Sequence, residues 1–380
     1  MAGQIIKRGD KTWLVRIFTG RNEKGKRHYH NHTAKGTKKD AQTYLTAKMR
    51  EKDTGTFVES SSMSVNDYLD KWLETAKTQV RERTVQGYKD MLSTYARPTL
   101  GNKRLSDVKP LDIQTLYSSL TEQGLSANTV CHAHIILKIA FKQAVGWRMI
   151  PFSPAADVKP PQEATRREIQ VLSPEDAIRF LACADGDRYY ALFNLALSKG
   201  LRPEEYLGLL WENIDLNNGT MNVKTTMVMR RGGGWYFGEP KSKSSWRTLT
   251  LPSSTVRALV EHKRNQAEER LRLGSSYEKN GLAFTTPFGT PVDITNLRVR
   301  HFKPIIKRAK LSEKFTLYSL RHSFVTLSLL AGVDAKTVSE EAGHSSVSFT
   351  LDVYAHVLPS MKQSAAEKLE KLLFANTGTL

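Results

Sequence analysis

Hydrophobic residues alternate with other residues in the first part of the chain, a pattern that predicts β-strands. Three short strands are expected, at 3–8, 11–19 and 26–33. The middle strand shows the alternation most clearly, with Trp13, Val15 and Ile17 at every second position. A helix is expected next, beginning at an N-cap on Asp40 and running to about Lys52. Residues 1–57 are therefore predicted to form a small module, a three-stranded sheet with one helix.

Apolar residues then recur at intervals of three and four, after a short polar stretch at 54–63, and this spacing predicts helices. Ser64 is expected to cap the first helix and Thr84 the second. The apolar residues that define the four helices are Tyr68, Leu69, Trp72 and Leu73; Val85, Tyr88 and Leu92; Ile113, Leu116, Tyr117 and Leu120; and Val130, Ile135, Ile136, Ala140 and Phe141. Four amphipathic helices with short connections predict a helical-bundle domain over 64–155.

A proline-rich stretch at 150–168 separates this bundle from a region of mixed pattern. Helices are expected there at 174–184, 188–199, 254–273, 295–309, 318–331, 334–342 and 360–374, and strands at 219–230, 235–238 and 246–251. The predicted fold class is therefore a multidomain α+β protein, whose third domain, 169–380, is mixed but mainly helical with a small β-sheet.

The net charge of +19 indicates what kind of partner the protein binds. Residues 1–57 contain 14 Lys and Arg against 5 Asp and Glu, so this short module carries nearly half of the excess. Such an excess favours a polyanionic partner, with nucleic acid ahead of an anionic membrane. Because a β-sheet can lie in the major groove, the basic sheet is predicted to contact DNA.

Several function classes are disfavoured by what the sequence lacks. It has no run of about 18 apolar residues that could span a membrane. The N-terminus has no apolar signal-peptide core, so export is not expected. Cys131 and Cys183 stand far apart in the sequence, without a CxxC motif or a partner histidine at metal-ligand spacing. This usage argues against a zinc site or a disulfide scaffold and is typical of a reducing cytosol.

The C-terminal part of the sequence contains the residues that point to chemistry. Tyr318, Arg321 and His322 lie on one predicted helix, His344 follows the next helix, and Tyr354 comes ten residues later. The two helices by themselves resemble the helix-turn-helix of a repressor, which is the alternative for this segment. A repressor has no need of an arginine and a tyrosine at these places, so the larger set favours catalysis.

Two earlier fragments carry further cations. Arg202 ends an apolar helix and precedes Pro203, a residue suited to the first turn of a new helix. Glu205 can hold this arginine so that its guanidinium faces a bound anion, although a surface Arg–Glu pair is the commoner outcome for such a fragment alone. A basic turn between strands contains Lys241 and Lys243. By itself this turn is a weak signal, because basic hairpin tips are common and usually only solvated.

In order and spacing, these fragments resemble the catalytic domain of tyrosine recombinases of the phage-integrase type. The resemblance covers about 170–360 with specific motifs. It extends less sharply to the helical region, which is similar to the core-binding, SAM-like domain of that family, and to the basic module, which is similar to arm-type DNA-binding domains. The resemblance implies a site made of Arg202, Lys241, Tyr318, Arg321, His344 and Tyr354, with Glu205 in support. Lys243 stays open as the alternative to Lys241.

One position departs from the family pattern. The first histidine of the family's His-x-x-Arg pair is Tyr318 here, and His322 lies on the other side of Arg321. A phenol can donate or accept a hydrogen bond, but its ordinary pKa near 10 makes it a poorer base than imidazole. Tyr318 is therefore expected to support the scissile phosphate or its neighbours, and the proton acceptor is left open.

The resemblance implies cleavage of the DNA backbone by Tyr354. Arg202 and Arg321 would bind the non-bridging phosphate oxygens with bidentate donors, and His344 would add a hydrogen bond. A hairpin lysine would protonate the departing 5′ oxygen. Residues 345–350 are expected to be a link that carries a following helix, and its tyrosine, toward the phosphate. The 3′-phosphotyrosyl bond conserves the phosphodiester linkage, so neither ATP, nor a metal, nor any other cofactor is expected.

The same resemblance implies the partners. These are double-stranded DNA at core and arm sites, and a homotetramer on two duplexes that passes through a Holliday junction. The amphipathic tail at 361–374 would either dock on the neighbouring protomer or close its own domain. A directionality factor or a host DNA-bending protein is a further possibility. A bacterial cytoplasm and a phage or conjugative transposon are the expected setting. A non-catalytic DNA-binding regulator and a type IB topoisomerase are the alternative functions.

Overall fold

A computed structural model describes residues 3–21, 25–54, 57, 62–162, 169–230, 233–238, 246–353, 370 and 373. The chain divides into two compact units, Met1–Arg166 and Arg167–Leu380. Separate hydrophobic cores lie within the first unit, one in the N-terminal sheet module and one in a helical bundle. The division into three domains stays a prediction. Within the described residues, no helix is long and apolar enough to cross a membrane.

The N-terminal module is an antiparallel sheet of order β1-β2-β3 with one helix against it. Its elements are β1 (Gly3–Gly9), β2 (Thr12–Arg21), β3 (Arg27–Lys35) and α1 (Lys38–Asp53). Val15 and Ile17 are fully buried on one face of β2 and pack with Ala34 and Ala41, because these residues lie between the sheet and α1. The alternation read from the sequence therefore identifies the inner face of the sheet.

The start of α1 differs from the prediction. The N-cap is Thr37, not Asp40, and the two residues form a capping box. The Asp40 carboxylate accepts a hydrogen bond from the Thr37 backbone N–H at 2.7 Å, and the Asp40 N–H donates to the Thr37 hydroxyl at 3.3 Å. Both residues are good helix-start residues, and three-residue spacing makes the second one the N3 partner of the first.

The bundle consists of α2 (Val65–Ala76), α3 (Glu82–Met91), α4 (Arg97–Leu100), α5 (Pro110–Glu122) and α6 (Ala127–Gly146), with a π-helical turn at Leu92–Ala96. Ser64 caps α2 as predicted. The prediction of Thr84 as a cap is wrong, because α3 already begins after Arg81. The assignment of Ile135 to the apolar face is also wrong, since its side chain is 48% exposed while the neighbouring Ile136 is buried.

The second unit is mainly helical around small sheets, which confirms the predicted mixed fold class. Its helices are α7 (Pro174–Ala184), α8 (Tyr190–Lys199), α9 (Pro203–Leu207), α10 (Ser253–Leu273), α11 (Ile294–Asn296), α12 (Lys303–Arg308), α13 (Leu317–Leu330), α14 (Ala335–Ala342) and α15 (Val347–Val353). Its strands are β4 (Ile214–Asp215), β5 (Thr220–Val223), β6 (Thr226–Met229), β7 (Trp235–Gly238) and β8 (Arg247–Thr250). The central helix is α8, which packs against α10 and α13.

Two predictions for this unit need correction. The single strand expected at 219–230 is split: β5 lies between β4 and β8 in a three-stranded sheet, whereas β6 pairs with β7 in a separate ribbon. The link expected at 345–350 is helical from Val347 onward, since α15 begins there. Exposed serines on both sides of Val347 made this segment resemble a loop in the sequence. The predicted helix at 360–374 falls outside the described residues, apart from two isolated positions.

Candidate active site

Arg202 stands at the junction of two helices. α8 ends at Gly200, which has the left-handed backbone (φ 61°) that glycine adopts without strain. Arg202 is then the N-cap of α9, and Pro203 occupies the first turn as predicted. Glu205, one turn into α9, accepts the Arg202 backbone N–H at 2.9 Å and its Nη1 at 2.7 Å. The arginine backbone and side chain are therefore fixed by the same carboxylate.

A second arginine binds that carboxylate from β8. The Nη1 and Nη2 atoms of Arg247 donate to the two Glu205 oxygens at 3.3 and 3.0 Å. Glu205 is only 2% exposed, so the surface-pair interpretation does not describe it. Burial by itself raises the pKa of a carboxyl group, but Arg247 and Arg202 outweigh this and hold the pKa of Glu205 below its ordinary value.

Arg321 enters the same site from α13. Its side chain is buried, and its Nη1 donates to the carbonyl oxygens of Gly200 at 2.7 Å and Ala342 at 2.6 Å. Gly200 also lies against Phe324 of the same helix, so closely that an added Cβ would stand 2.2 Å from the ring. α8 and α13 can therefore approach closely enough for Arg321 to reach the segment that carries Arg202.

The C-terminal end of α14 binds all three arginines. Three consecutive carbonyl oxygens accept one guanidinium each: Glu341 from Arg247 Nε at 2.6 Å, Ala342 from Arg321 at 2.6 Å, and Gly343 from Arg202 Nη2 at 2.7 Å. The last carbonyls of a helix have no partners within the helix and carry its partial negative charge. This helix end therefore holds three cations side by side.

His344 follows directly on this helix end. It is 8% exposed, its Nδ1 lies 2.7 Å from the Thr350 hydroxyl, and its ring and that of Phe349 form a T-shaped pair at a centroid distance of 5.0 Å. Burial, followed by the charges of Arg321 and Arg202, lowers the pKa of His344 to about 3. At neutral pH the imidazole is therefore uncharged and carries one N–H donor.

Tyr318 lies at the edge of the site, on the first turn of α13. Its side chain is 42% exposed, and its hydroxyl donates to Glu204 Oε2 at 3.2 Å. Burial of the hydroxyl, with a smaller contribution from the Glu204 charge, raises the pKa of Tyr318 to about 12. The phenol therefore keeps its proton at neutral pH, so it can donate a hydrogen bond but is a poor general base.

The structure thus brings together Arg202, Glu205, Arg321 and His344, with Tyr318 at the rim. Tyr354, Lys241 and Lys243 lie outside the described residues. Arg247 was not assigned to the site from the sequence. A signal for it exists: Arg247 and buried Leu249 are two residues apart in β8 and therefore share the inward face.

Solved structures of known proteins share this fold. An integrase of transposon Tn1549, solved in complex with a circular intermediate DNA, superposes with a TM-score of 0.68 at 23% identity, covering 81% of this chain and all of that chain. A lambda integrase, solved as a tetramer bound to a Holliday junction, gives a TM-score of 0.55 at 15% identity, covering 92% and 94% of the two chains. The fold is that of the tyrosine-recombinase integrases.

The sequence comparisons agree with the fold. Residues 170–361 match the phage integrase family, and residues 64–121 match the phage integrase N-terminal SAM-like domain. A tyrosine recombinase XerC-like protein of Caldanaerobacter subterraneus subsp. tengcongensis is 32% identical over 97% of this chain and 98% of the relative. The chain belongs to the phage integrase family of tyrosine recombinases, and its function is site-specific DNA recombination.

Proposed function

We propose that this recombinase cuts and rejoins DNA through a covalent bond between Tyr354 and the 3′ phosphate of the cleaved strand. In this proposal Arg202, Arg321 and His344 bind the scissile phosphate, and Lys241 is the proton donor to the departing 5′ oxygen, with Lys243 as the alternative. Exchange of one strand from each of the two duplexes gives a Holliday junction, the intermediate through which the reaction passes. A bacterial cytoplasm is the setting we propose, because the DNA of a mobile element and its host is located there.

The observation that carries this proposal is the convergence of two arginines and one neutral histidine at the end of α14. Arg202 and Arg321 come from different helices, yet they bind adjacent carbonyl oxygens. A phosphodiester presents two non-bridging oxygens that share one negative charge. Two guanidiniums fixed before the substrate arrives are suited to these oxygens, because their donors need little reorganisation when charge redistributes during attack.

His344 adds a donor of a different kind. When the Thr350 hydroxyl donates to Nδ1, the single proton of the neutral ring resides on Nε2, and this N–H can donate to a phosphate oxygen. An imidazolium would add a third cation beside two arginines, and the lowered pKa of His344 avoids this. His344 is therefore proposed as a hydrogen-bond donor and not as a base.

The covalent step transfers one phosphoryl group and conserves one ester bond. The Tyr354 oxygen loses its proton and forms a bond to phosphorus, while the bond from phosphorus to the 5′ oxygen breaks. That oxygen takes a proton from Lys241 and leaves as a 5′ hydroxyl. Rejoining is the reverse reaction, in which a 5′ hydroxyl of the partner strand attacks the phosphotyrosine. The step needs no oxidant, reductant or nucleotide.

Tyr318 is proposed to support this site from its rim. Its hydroxyl donates a hydrogen bond to Glu204, which lies in the first turn of α9. This contact connects the first turn of α13 to the first turn of α9, which are the two segments that carry the arginines. Tyr318 therefore has a position from which it can orient a phosphate or its neighbours, and the proton acceptor for Tyr354 is a different group.

The N-terminal module is proposed to bind arm-type DNA through the sheet face opposite α1. Gln4, Arg16 and Asn31 are register partners in one row across β1, β2 and β3 on this face. Arg16 Nε donates to Asn31 Oδ1 at 3.2 Å, and its guanidinium lies 4.5 Å from the centre of the Tyr29 ring. Amide and guanidinium groups in one row are suited to base edges and phosphates in a major groove.

The remaining parts of the proposal concern assembly. The helical bundle is proposed as the core-binding domain, with one protomer on each core site and a homotetramer on two duplexes. The lambda integrase that shares this fold was solved as a tetramer bound to a Holliday junction. A directionality factor or a host DNA-bending protein is proposed as an accessory partner.

A covalent-trapping experiment tests the proposal. The full chain is incubated without metal or ATP with nicked duplexes that contain the attachment sites of its element, and the products are separated on a denaturing gel. A protein–DNA adduct is expected for the wild type and not for Tyr354→Phe, with equal DNA binding by both. Arg257 is an exposed arginine on α10, so Arg257→Gln is the matched control and should keep the adduct.

Other outcomes would contradict the proposal. An adduct with Tyr354→Phe would contradict the assignment of Tyr354 as the nucleophile, and DNA binding by the wild type without any adduct would favour a regulator. In a parallel assay on supercoiled plasmid, relaxation without exchange of partners would indicate a topoisomerase.

A further inference from the structure

We infer that Arg247 is a positioning residue of the recombination reaction, one that orients Arg202 for the scissile phosphate through Glu205 and the end of α14. The inference rests on the proposed function of Arg202. Arg247 lies outside the family signature that the sequence presents, and the contacts that indicate its role are all within the second unit.

Arg247 touches both supports of Arg202. The first support is Glu205, whose Oε1 accepts one Nη from each arginine, and whose Oε2 accepts Arg247 Nη2 and the Arg202 backbone N–H. The second is the end of α14, where Arg247 binds the Glu341 carbonyl and Arg202 binds that of Gly343. Arg247 thus fixes both groups that determine where the Arg202 guanidinium points.

Burial separates the roles of the two arginines. The Arg202 side chain is 29% exposed, so an anion can approach it, whereas the Arg247 side chain is 7% exposed. Arg247 uses its Nε and both Nη atoms on Glu205 and Glu341. It is therefore placed to act on the phosphate through Arg202 and not by direct contact.

The charges around Glu205 also indicate that Arg247 is a positioning residue. Glu205 is paired with two arginines, Arg202 at the start of α9 and Arg247 in β8. The other charged groups nearby are Arg321 and the ion pair between Lys199 and Glu341, whose charged atoms lie 2.9 Å apart. Without Arg247, a nearly inaccessible carboxylate would keep a single guanidinium partner. Desolvation would then raise its pKa, and a protonated Glu205 can accept fewer hydrogen bonds from Arg202.

The test compares Arg247→Gln with Arg247→Lys, using the full chain and a nicked core-site duplex. Single-turnover adduct formation and DNA affinity are measured from about pH 6 to 9, and thermal unfolding is followed in parallel. For Arg247→Gln we expect a loss of about 10- to 100-fold in cleavage rate at neutral pH, with DNA affinity unchanged. The loss should grow as the pH falls, because Glu205 must be ionised to hold Arg202 and its pKa has been raised. Arg247→Lys should restore part of the rate and of the pH profile.

Several results would overturn the inference. A loss of equal size at every pH would assign Arg247 a merely structural role, and so would a loss that appears only together with weaker DNA binding. Wild-type rates in Arg247→Gln would remove the role altogether. If Arg247→Gln does not fold, the pH profile of Arg247→Lys decides: an acid limb that coincides with the wild type contradicts the inference, and one shifted to higher pH supports it. Failure of the proposed function is distinct, because the wild type itself would then form no adduct.

Discussion

The arginines of the second unit and Arg16 of the N-terminal sheet are all expected to meet DNA, yet they are held in different ways. Arg202 is fixed by Glu205 and a helix-end carbonyl, and the buried Arg321 is fixed by two carbonyls. Arg16 of the sheet face is held by one side-chain hydrogen bond, to Asn31, and by the Tyr29 ring. The guanidiniums of Arg202 and Arg321 are thus fixed before DNA binds, whereas that of Arg16 can adapt to the DNA.

This difference corresponds to the two tasks that we propose for these regions. Chemistry on a phosphate needs donors that are already in place, because reorganisation during the reaction adds to the barrier. Binding to a long duplex needs many weaker contacts whose sum supplies affinity and whose details can adjust. Exchanging Arg for Lys should therefore reduce cleavage severely in the second unit and only mildly on the sheet. The predictions that follow test this contrast.

The largest effect is expected for Arg202→Lys. Lysine retains the charge but cannot bind both Glu205 and the Gly343 carbonyl while presenting a fork to the phosphate. We expect adduct formation to fall by about 10²- to 10³-fold with DNA binding unchanged. Arg16→Lys is the matched variant on the sheet and should leave cleavage at a nicked core site within a few-fold of wild type. Similar losses of cleavage in Arg202→Lys and Arg16→Lys would contradict the proposed difference between the two regions.

A second effect concerns His344 and pH. The pKa of His344 in the folded protein is about 3, against an ordinary value of 6.5, so the unfolded chain binds a proton first as the pH falls. Stability is therefore lost below about pH 6.5, by about 1–2 kcal/mol between pH 7 and 5. His344→Asn should unfold with a weaker dependence on pH over this range in thermal denaturation. The exposed His132→Asn is the control, and an unchanged pH dependence in His344→Asn would contradict the prediction.

A smaller effect is expected for Arg16→Ala. Loss of one phosphate or base contact should weaken binding of arm-site DNA by about 3- to 10-fold and reduce the slope of log affinity against log salt by about 1. The measurement is a titration of arm-site duplex at several salt concentrations. Arg50 is an exposed residue of α1, and Arg50→Ala makes the same charge change away from the proposed face. Equal effects of the two variants would show that only net charge matters there.

The smallest effect is expected at Tyr318. Its pKa of about 12 keeps the phenol protonated, and its hydroxyl contacts Glu204. Tyr318→Phe should therefore reduce cleavage by no more than about 10-fold, which is below the roughly 10²- to 10⁴-fold that a general acid or base contributes. Tyr318→His, which restores the residue that the family usually has, should retain cleavage. A loss of several orders of magnitude in either variant would mean that Tyr318 takes part directly in proton transfer.

The sequence was informative wherever a pattern is local. The alternation of Val15 and Ile17 predicted the inner face of β2, and Pro203 predicted the start of α9. Local patterns failed where two nearby residues were equally suited to the same role. Thr37 and Asp40 are both residue types that cap helices, so the sequence did not show which of them begins α1. They also failed at Ile135, whose hydrophobicity matches that of buried Ile136 although the helix turns it outward.

By itself, the sequence determined the order of the elements, the excess of positive charge and the family, because these depend on residue types and short spacings. Only the tertiary structure decided how the site is held. The Gly343 carbonyl lies 141 positions from Arg202, and the Glu341 carbonyl lies 94 positions from Arg247. These contacts use backbone oxygens, which every residue possesses, so no residue type marks them in a sequence. Their position depends on how α9, β8, α13 and α14 pack together, and that packing makes three separate arginines into one site.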